Sequence, residues 1–524
     1  MNPGPVSNDK ARLRNPDLWF FLLITVLVLW RIFFIKTCGL DLSPDEAYYW
    51  DWSRHLDWGY YSKPPMVAWI IWLSTKLFGN TVIGVRIPAV VLGTLSLVPI
   101  YLLANRLYDK GTGLLACVIV VSCPGSCLSG FIMTIDPPLL FFWALGLFCF
   151  WQALQQKDRH LGWWFITGIV TGLGLLSKQT MIAFWAFCFV YLLMEPAYRK
   201  RFKGIAPYVS VTLFLSSLTP VIFWNLKHQW ITLRHTAHHF QGVEKAAGLS
   251  LHALSTFLVS QLGALSPITF VLILITGFSA LILVKNLDKR ARFIFSLSIL
   301  PLAAVILLSL KQKVNANWPA PFYLAWSVGL SAWYLGYLSL GKTNRIKSLF
   351  PLGLALGILL SVGAYGLTYL LNDPTLSPKW PVITRAILGR PMPDPLYRLK
   401  GWKELGQQID RIILSLPNRK RLFVFSKKRQ TVSELAFYLH GNPVVYRWTQ
   451  NREIVRSQYE IWQGPKDKLG WDGLFVIKSG KGLPEGIKEF FESVRFLSKI
   501  TVPCGVNKER AFEVYLCKEL IKSW

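Results

Sequence analysis

Residues 17–37, DLWFFLLITVLVLWRIFFIKT, form an apolar run long enough to cross a bilayer as one helix, and they follow Lys10, Arg12 and Arg14. A chain in lipid must satisfy its own backbone hydrogen bonds, which confines the fold to helices or a closed barrel. The run is too long for the apolar part of a removed leader, and no small-x-small site follows it, so a retained signal anchor is expected. Further apolar stretches lie near 81–104, 113–132, 137–154, 161–177, 179–194, 206–224, 254–284, 293–310, 318–340 and 348–371, eleven spans with the first. A chain that is 52% hydrophobic and 16% charged fits that polytopic helical class.

The net charge of +29 raises nucleic acid as a partner. No basic tract outside the apolar runs is interleaved with stacking aromatics, so no nucleic-acid partner is expected. In a polytopic chain basic residues first set orientation and meet anionic headgroups. With the N-terminus inside, the inner segments hold 18 Lys and Arg in 57 residues and the outer ones 9 in 87. That bias places residues 38–80 outside, and an odd number of spans places the C-terminus outside too. The expected organisation is a cytoplasmic N-terminus (1–16), a transmembrane domain (17–371) carrying the outer loop 38–80, and a soluble outer α/β domain (372–524).

In that last region GWKELGQQIDRIILSL puts Leu405, Ile409, Ile412 and Leu416 on one helical face. RLFVF, PVVYRW, GLFVI, VRFLSKITV and AFEVYL read as strands, with helices at SELAFYL and PEGIKEFFESV. Six cysteines lie in or beside apolar runs, where they act as small hydrophobes. Cys504 and Cys517 flank a strand–turn–strand pattern and are read equally as a cross-strand disulfide or two free thiols.

The stretch DLSPDEAYYWDWSRHLDWGYYSKPP (41–65) holds five carboxylates, one lysine and seven Tyr and Trp residues. Asp45 and Glu46 have a structural explanation as acids in the first turn of a helix opened by Pro44 and capped by Ser43. The aromatics have one as an interfacial belt. The same residues suit a chemistry. A surface carboxylate can take a proton from a hydroxyl, and Lys63 can neutralise a phosphate leaving group. Charged residues within spans and paired broken helices would instead suit a lipid or solute transporter, and a helix start alone would suit a non-catalytic scaffold.

DE-A-Y-Y, Y-Y-S-K-P-P and M-T-I-D-P-P (133–138) resemble the dolichyl-phosphate-mannose protein mannosyltransferase-like family, glycosyltransferase family 39 with its aminoarabinose-transferase relatives. LLSKQT (175–180), FWNLKHQW (223–230), NANWPAP (315–321), RLKGW (398–402), SELAFYL (433–439) and RSQYEIW (456–462) extend the likeness over about residues 40–465. The resemblance implies a GT-C fold of about 11–13 transmembrane helices with a C-terminal extracytoplasmic α/β domain. It also implies a multi-pass protein of the bacterial inner membrane, with the loop and C-terminal domain periplasmic.

The implied activity is inverting sugar transfer from a polyprenyl-phosphate-linked donor to a lipid or protein acceptor, protein O-mannosyl transfer being the narrower alternative. No metal is required for that chemistry. Asp45, Lys63 and Asp136 are the expected catalytic residues: Asp45 as base, Lys63 on the lipid phosphate, Asp136 pairing that lysine. Asp136 is otherwise a helix cap before Pro137. Glu46, Tyr49, Tyr60, Lys178, Asn225 and His228 are expected to bind substrate. For Lys178 a phosphate contact and snorkelling to the interface stand level. His228, His235, His238 and His239 suggest a metal, but no carboxylate adjoins them before Glu244, so a hydrogen-bonding or lipid-headgroup role is expected. Two departures stand out. Tyr48 occupies a position where the aminoarabinose transferases usually carry a basic residue, and Ser62 one where they carry an acid, which weakens lipid A as the specific acceptor.

Overall fold

The structure, a computed structural model, describes residues 15–156, 160–241, 249–450 and 454–524. Among these, six helices are long and apolar enough to cross a membrane: Pro16–Thr37, Val82–Leu107, Asp136–Gln155, Ala206–Lys227, Lys289–Ser309 and Leu349–Asn372. Two helix pairs qualify only together. Gln179–Met194 with Pro196–Lys203 bends by 109°, and Leu251–Leu265 with Pro267–Ile282 by 114°. In each pair the second helix opens on a proline, which ends one helix and starts the next.

The expected span 113–132 is likewise broken. Its helix stops at Ser122, Cys123 takes an extended conformation ahead of Pro124, and a short helix Pro124–Ser129 follows. On Pro16–Thr37 one side carries exposed Leu18, Phe21, Val26, Leu29 and Phe33, the pattern of a lipid-facing surface. Trp143, Trp164, Trp326 and Trp333 are fully enclosed between helices.

The C-terminal region forms a five-stranded sheet of order β2-β1-β3-β5-β4. Its strands are β1 (Leu422–Ser426), β2 (Val445–Arg447), β3 (Asp472–Lys478), β4 (Phe491–Gly505) and β5 (Lys508–Leu520). β1 runs parallel to β2 and β3, and β5 antiparallel to β3 and β4. The helix Trp402–Ser415 buries Leu405 and Ile409 and rests Ile412 and Leu416 on the same core. The helix expected at PEGIKEFFESV is instead one 3₁₀ turn, Glu485–Glu489, followed directly by β4. Phe491 is drawn into the sheet opposite Leu520 and packs on Phe423, Phe425 and Trp524. No disulfide joins Cys504 and Cys517. The register sets Cys517 opposite Val494, while Cys504 lies beside the β4–β5 turn.

The loop 38–80 shares one core with this sheet domain. Leu42, Ala47, Tyr48, Trp50 and Trp52 pack in a single cluster with Trp402, Leu435, Phe437 and Tyr459. The interfacial belt is therefore corrected: Trp50, Trp52 and Tyr60 are fully buried, and of the Trp residues in 41–65 only Trp58 is exposed. Backbone ties reinforce the seat. Asp41 Oδ2 accepts from Trp402 N–H at 2.7 Å, the Leu42 N–H donates to Tyr438 Oη at 2.7 Å, and Tyr48 Oη accepts from Gln458 N–H at 2.6 Å. The RLKGW, SELAFYL and RSQYEIW motifs supply these partners.

Candidate active site

Ser43 caps the helix Pro44–Ser53. Its Oγ accepts from the Glu46 N–H at 3.2 Å, and Glu46 Oε2 accepts from the Ser43 N–H at 2.8 Å. This capping box sends the two adjacent carboxylates in opposite directions. Glu46 turns inward and is 0% exposed. It accepts from Arg86 Nε at 2.9 Å, Arg86 Nη2 at 3.0 Å and Met133 N–H at 3.1 Å. Arg86 donates onward to the carbonyls of Leu40 and Asp41. Glu46 is thus a brace between the loop, a membrane helix and the segment leading to Asp136, rather than a substrate ligand.

Asp45 turns outward, and its side chain is 57% exposed. Oδ1 accepts from Arg429 Nη2 at 2.9 Å. Arg429 lies 384 residues further along the chain, in the first turn of the helix Arg429–Tyr438, and stacks over the Tyr48 ring at 4.5 Å. A cation therefore does stand at Tyr48, supplied by the C-terminal domain.

Asp136 is the first residue of its helix, and Ile135 holds the cap position without a side-chain bond, so the capping explanation fails. Its Oδ1 accepts from Lys178 Nζ at 2.8 Å and its Oδ2 from Asn317 Nδ2 at 2.6 Å. The carboxylate expected on Lys63 is on Lys178 instead. Lys178 is 8% exposed and does not snorkel.

Lys63 is partly buried and has no ion pair among the described residues. Burial, then the charge of Lys178, pulls its ammonium below the ordinary lysine value, with Asp136 and Asp45 opposing. A cation so placed gains from any anion that arrives. Tyr49 completes the cluster. Burial, then the charge of Asp45, pushes its hydroxyl up, with Asp136 acting in the same sense and Arg429 against it. Asp45, Tyr49, Lys63, Asp136 and Lys178 thus come together, joined by Arg429 and Asn317.

Three other expected ligands are scaffold. Tyr60 is 0% exposed, stacks on Trp52 at 4.5 Å and donates to the carbonyls of Trp52 and His55. Asn225 braces its own turn, donating to the Val221 carbonyl and accepting from the Thr232 N–H. His228 stacks on Trp224 at 4.0 Å with Nδ1 against the Trp224 carbonyl. Trp224 in turn donates to Asp57 Oδ2 at 2.6 Å, and Thr232 Oγ1 to the Tyr60 carbonyl at 2.9 Å. That segment buttresses the first loop.

His235 lies against the Tyr61 ring. The side chains of His238 and His239, and Glu244, fall outside the described residues. Among the described residues no three metal-ligating side chains converge.

Arg429 escaped the sequence because nothing local marks a partner so distant in the chain. Asn317, with Asn315 in NANWPAP, was legible from the sequence as either a polar group of the acceptor cavity or a loop residue, but its partner Asp136 was not.

Comparisons with known proteins agree with this architecture. Residues 62–224 match the model of the family described as dolichyl-phosphate-mannose-protein mannosyltransferase. A lipid A galacturonosyltransferase, RgtD of Rhizobium johnstonii, is 29% identical over 62% of this chain and 67% of its own length. An undecaprenyl phosphate-alpha-4-amino-4-deoxy-L-arabinose arabinosyl transferase of Pseudomonas aeruginosa is 30% identical over 40% of each chain. Among solved structures, ArnT from Cupriavidus metallidurans bound to undecaprenyl phosphate superposes with a TM-score of 0.61 at 16% identity, covering 95% of this chain and 97% of that one. The archaeal oligosaccharyltransferase AglB from Archaeoglobus fulgidus gives 0.51 at 13% identity, covering 88% and 70%.

The chain is a polytopic membrane protein of the GT-C fold. Within that class its sequence is similar to the dolichyl-phosphate-mannose-protein mannosyltransferase family over residues 62–224, and to a lipid A galacturonosyltransferase and the aminoarabinose transferases over the shares given above.

Proposed function

We propose that this protein transfers a sugar from a polyprenyl-phosphate-linked donor to an acceptor on the periplasmic face of the bacterial inner membrane, with inversion at the anomeric carbon. One observation carries the assignment. An exposed carboxylate, Asp45, stands in the same electrostatic cluster as Lys63, an ammonium without an ion pair among the described residues, and a paired one, Lys178. Arg429 holds Asp45 Oδ1, which leaves Oδ2 for the acceptor.

The acceptor hydroxyl gives its proton to Oδ2 as its oxygen bonds to the anomeric carbon. The bond from that carbon to the phosphate oxygen breaks, and its electron pair leaves with the polyprenyl phosphate. Lys63 and Lys178 meet the added negative charge. Asp136 and Asn317 hold Lys178 in place, and the rigid seat of the loop on the sheet domain keeps Asp45 oriented. Two ammoniums cover the leaving charge, so transfer is expected to survive chelation of divalent metal.

The relatives named above support the donor and favour a lipid acceptor: one acts on lipid A, another uses an undecaprenyl-phosphate sugar, and ArnT has been solved with undecaprenyl phosphate. The test is sugar transfer in lipid nanodiscs, with labelled polyprenyl-phosphate sugars and an envelope extract. Asp45→Asn is expected to lower turnover about a hundredfold or more while polyprenyl-phosphate binding persists. Wild-type turnover in Asp45→Asn would overturn the assignment.

A further inference from the structure

A second basic site lies on the other side of Asp45, in the C-terminal domain. β1, β2 and β3 are mutually parallel and end at Ser426, Arg447 and Lys478. Outside those ends, at the start of the helix Arg429–Tyr438, is a cavity of about 590 Å³. This is where a parallel sheet exposes a crevice for ligands. Lys427, Lys428, Arg429, Arg447, Lys478 and Lys481 line it, and no carboxylate does among the described residues.

Three of the six cations are already engaged: Arg447 pairs with Glu460, Arg429 pairs with Asp45, and Lys427 lies over the Trp448 ring. Lys428, Lys478 and Lys481 have no ion pair among the described residues. Burial, then the charges of Lys481 and Lys478, pulls the Lys428 ammonium below its ordinary value. Like charges gathered in a concave site repel one another unless an anion fills it.

The cavity and the catalytic cluster share Arg429, which lines the one and binds Asp45 of the other. On the membrane side Lys63 and Lys178 suffice for the single phosphate of the donor. A second cationic site across Asp45 then has the acceptor to serve. We infer that this cavity binds a phosphate-bearing saccharide portion of the acceptor, with Arg429 fixing that anion relative to Asp45. The inference rests on the proposed transfer reaction for the role of the ligand, and on the cavity alone for its chemistry.

The test uses the full chain in zwitterionic phosphatidylcholine nanodiscs, with glucosamine 1-phosphate and glucosamine as probes, followed by equilibrium dialysis. The wild type is expected to bind the phosphorylated probe selectively, and more weakly as salt rises. Lys428→Gln combined with Lys481→Gln should weaken that binding at least about tenfold, the loss of charge-assisted contacts, and leave polyprenyl-phosphate binding intact. Lys63→Ala should do the reverse.

No selective binding by the wild type, or equal binding by the double variant, would overturn the inference. Displacement of the probe by phosphatidylglycerol placed in the disc would also overturn it, assigning the cavity to bulk lipid headgroups. Thermal unfolding of the double variant serves as the folding control, and its midpoint is expected to match or exceed that of the wild type. Selective binding alongside full activity of Asp45→Asn would leave the site standing and remove only the transfer reading.

Discussion

Glu46→Gln keeps the size of the side chain but removes the only carboxylate that meets Arg86 among the described residues, and both groups are 0% exposed. Glu46 accepts four hydrogen bonds, from Ser43 N–H, Arg86 Nε, Arg86 Nη2 and Met133 N–H. One amide oxygen can serve two of those donors, and the amide nitrogen would face the others with hydrogens of its own. Two unmet buried donors cost about 1–3 kcal/mol each. That agrees with the ~3–5 kcal/mol lost when one partner of a buried ion pair is removed. At roughly 2 °C per kcal/mol for a large cooperative unit, the unfolding midpoint should fall by about 6–10 °C. Thermal unfolding in nanodiscs measures this. Glu46→Leu with Arg86→Met removes both charges and should recover part of the loss, a coupling that a double-mutant cycle isolates. An unchanged midpoint together with lost transfer in Glu46→Gln would refute the brace and return Glu46 to the substrate.

Three further outcomes follow from named contacts. Glu434 is fully buried with neither oxygen hydrogen-bonded among the described residues, and burial, then the charges of Asp41 and Glu46, pushes its carboxyl well above the ordinary value. Its folded pKa is raised, so stability is full below about pH 4.5 and is lost as pH rises toward the folded value. Glu434→Gln should therefore raise the unfolding midpoint at pH 8 and leave it unchanged at pH 4; a lower midpoint at pH 8 would mean an ionised, partnered carboxylate. Gln458→Ala removes the Oε1 that accepts from the Tyr61 N–H at 2.7 Å, and should cost about 1–3 kcal/mol in stability. A loss below the error of a denaturation curve would show the loop to be held elsewhere. Lys63→Ala should weaken polyprenyl-phosphate binding about tenfold or more, as expected for a charge-assisted contact, with acceptor affinity unaltered; equal losses on both would count against a phosphate contact.

Much of the membrane architecture was legible because hydropathy and proline act locally. The long apolar runs marked the helices, and Pro124, Pro196 and Pro267 stand where they break, although 113–132 and 254–284 each read as one unbroken span. The capping box was also readable, since Ser43, Pro44 and Glu46 sit at fixed offsets in one turn. What the box does with its two carboxylates was not. Arg86 and Met133 claim Glu46 from 40 and 87 residues away, and Arg429 claims Asp45 from 384. Tyr60, Asn225 and His228 carry the same residue types whether they face a ligand or brace a loop, and only the contacts that folding gives them separate the two.

The sequence alone determined a polytopic helical protein in which the first span is followed by a capped, acidic helix and then a lysine before two prolines. Local patterns decide these things, because helix starts, spans and turns depend on neighbours within a few residues. Only the tertiary structure decided which carboxylate is exposed, which lysine is paired, and that the C-terminal domain reaches the site through Arg429. Those assignments depend on which distant groups lose water together, since a buried charge keeps its ionisation only beside a partner that folding delivers.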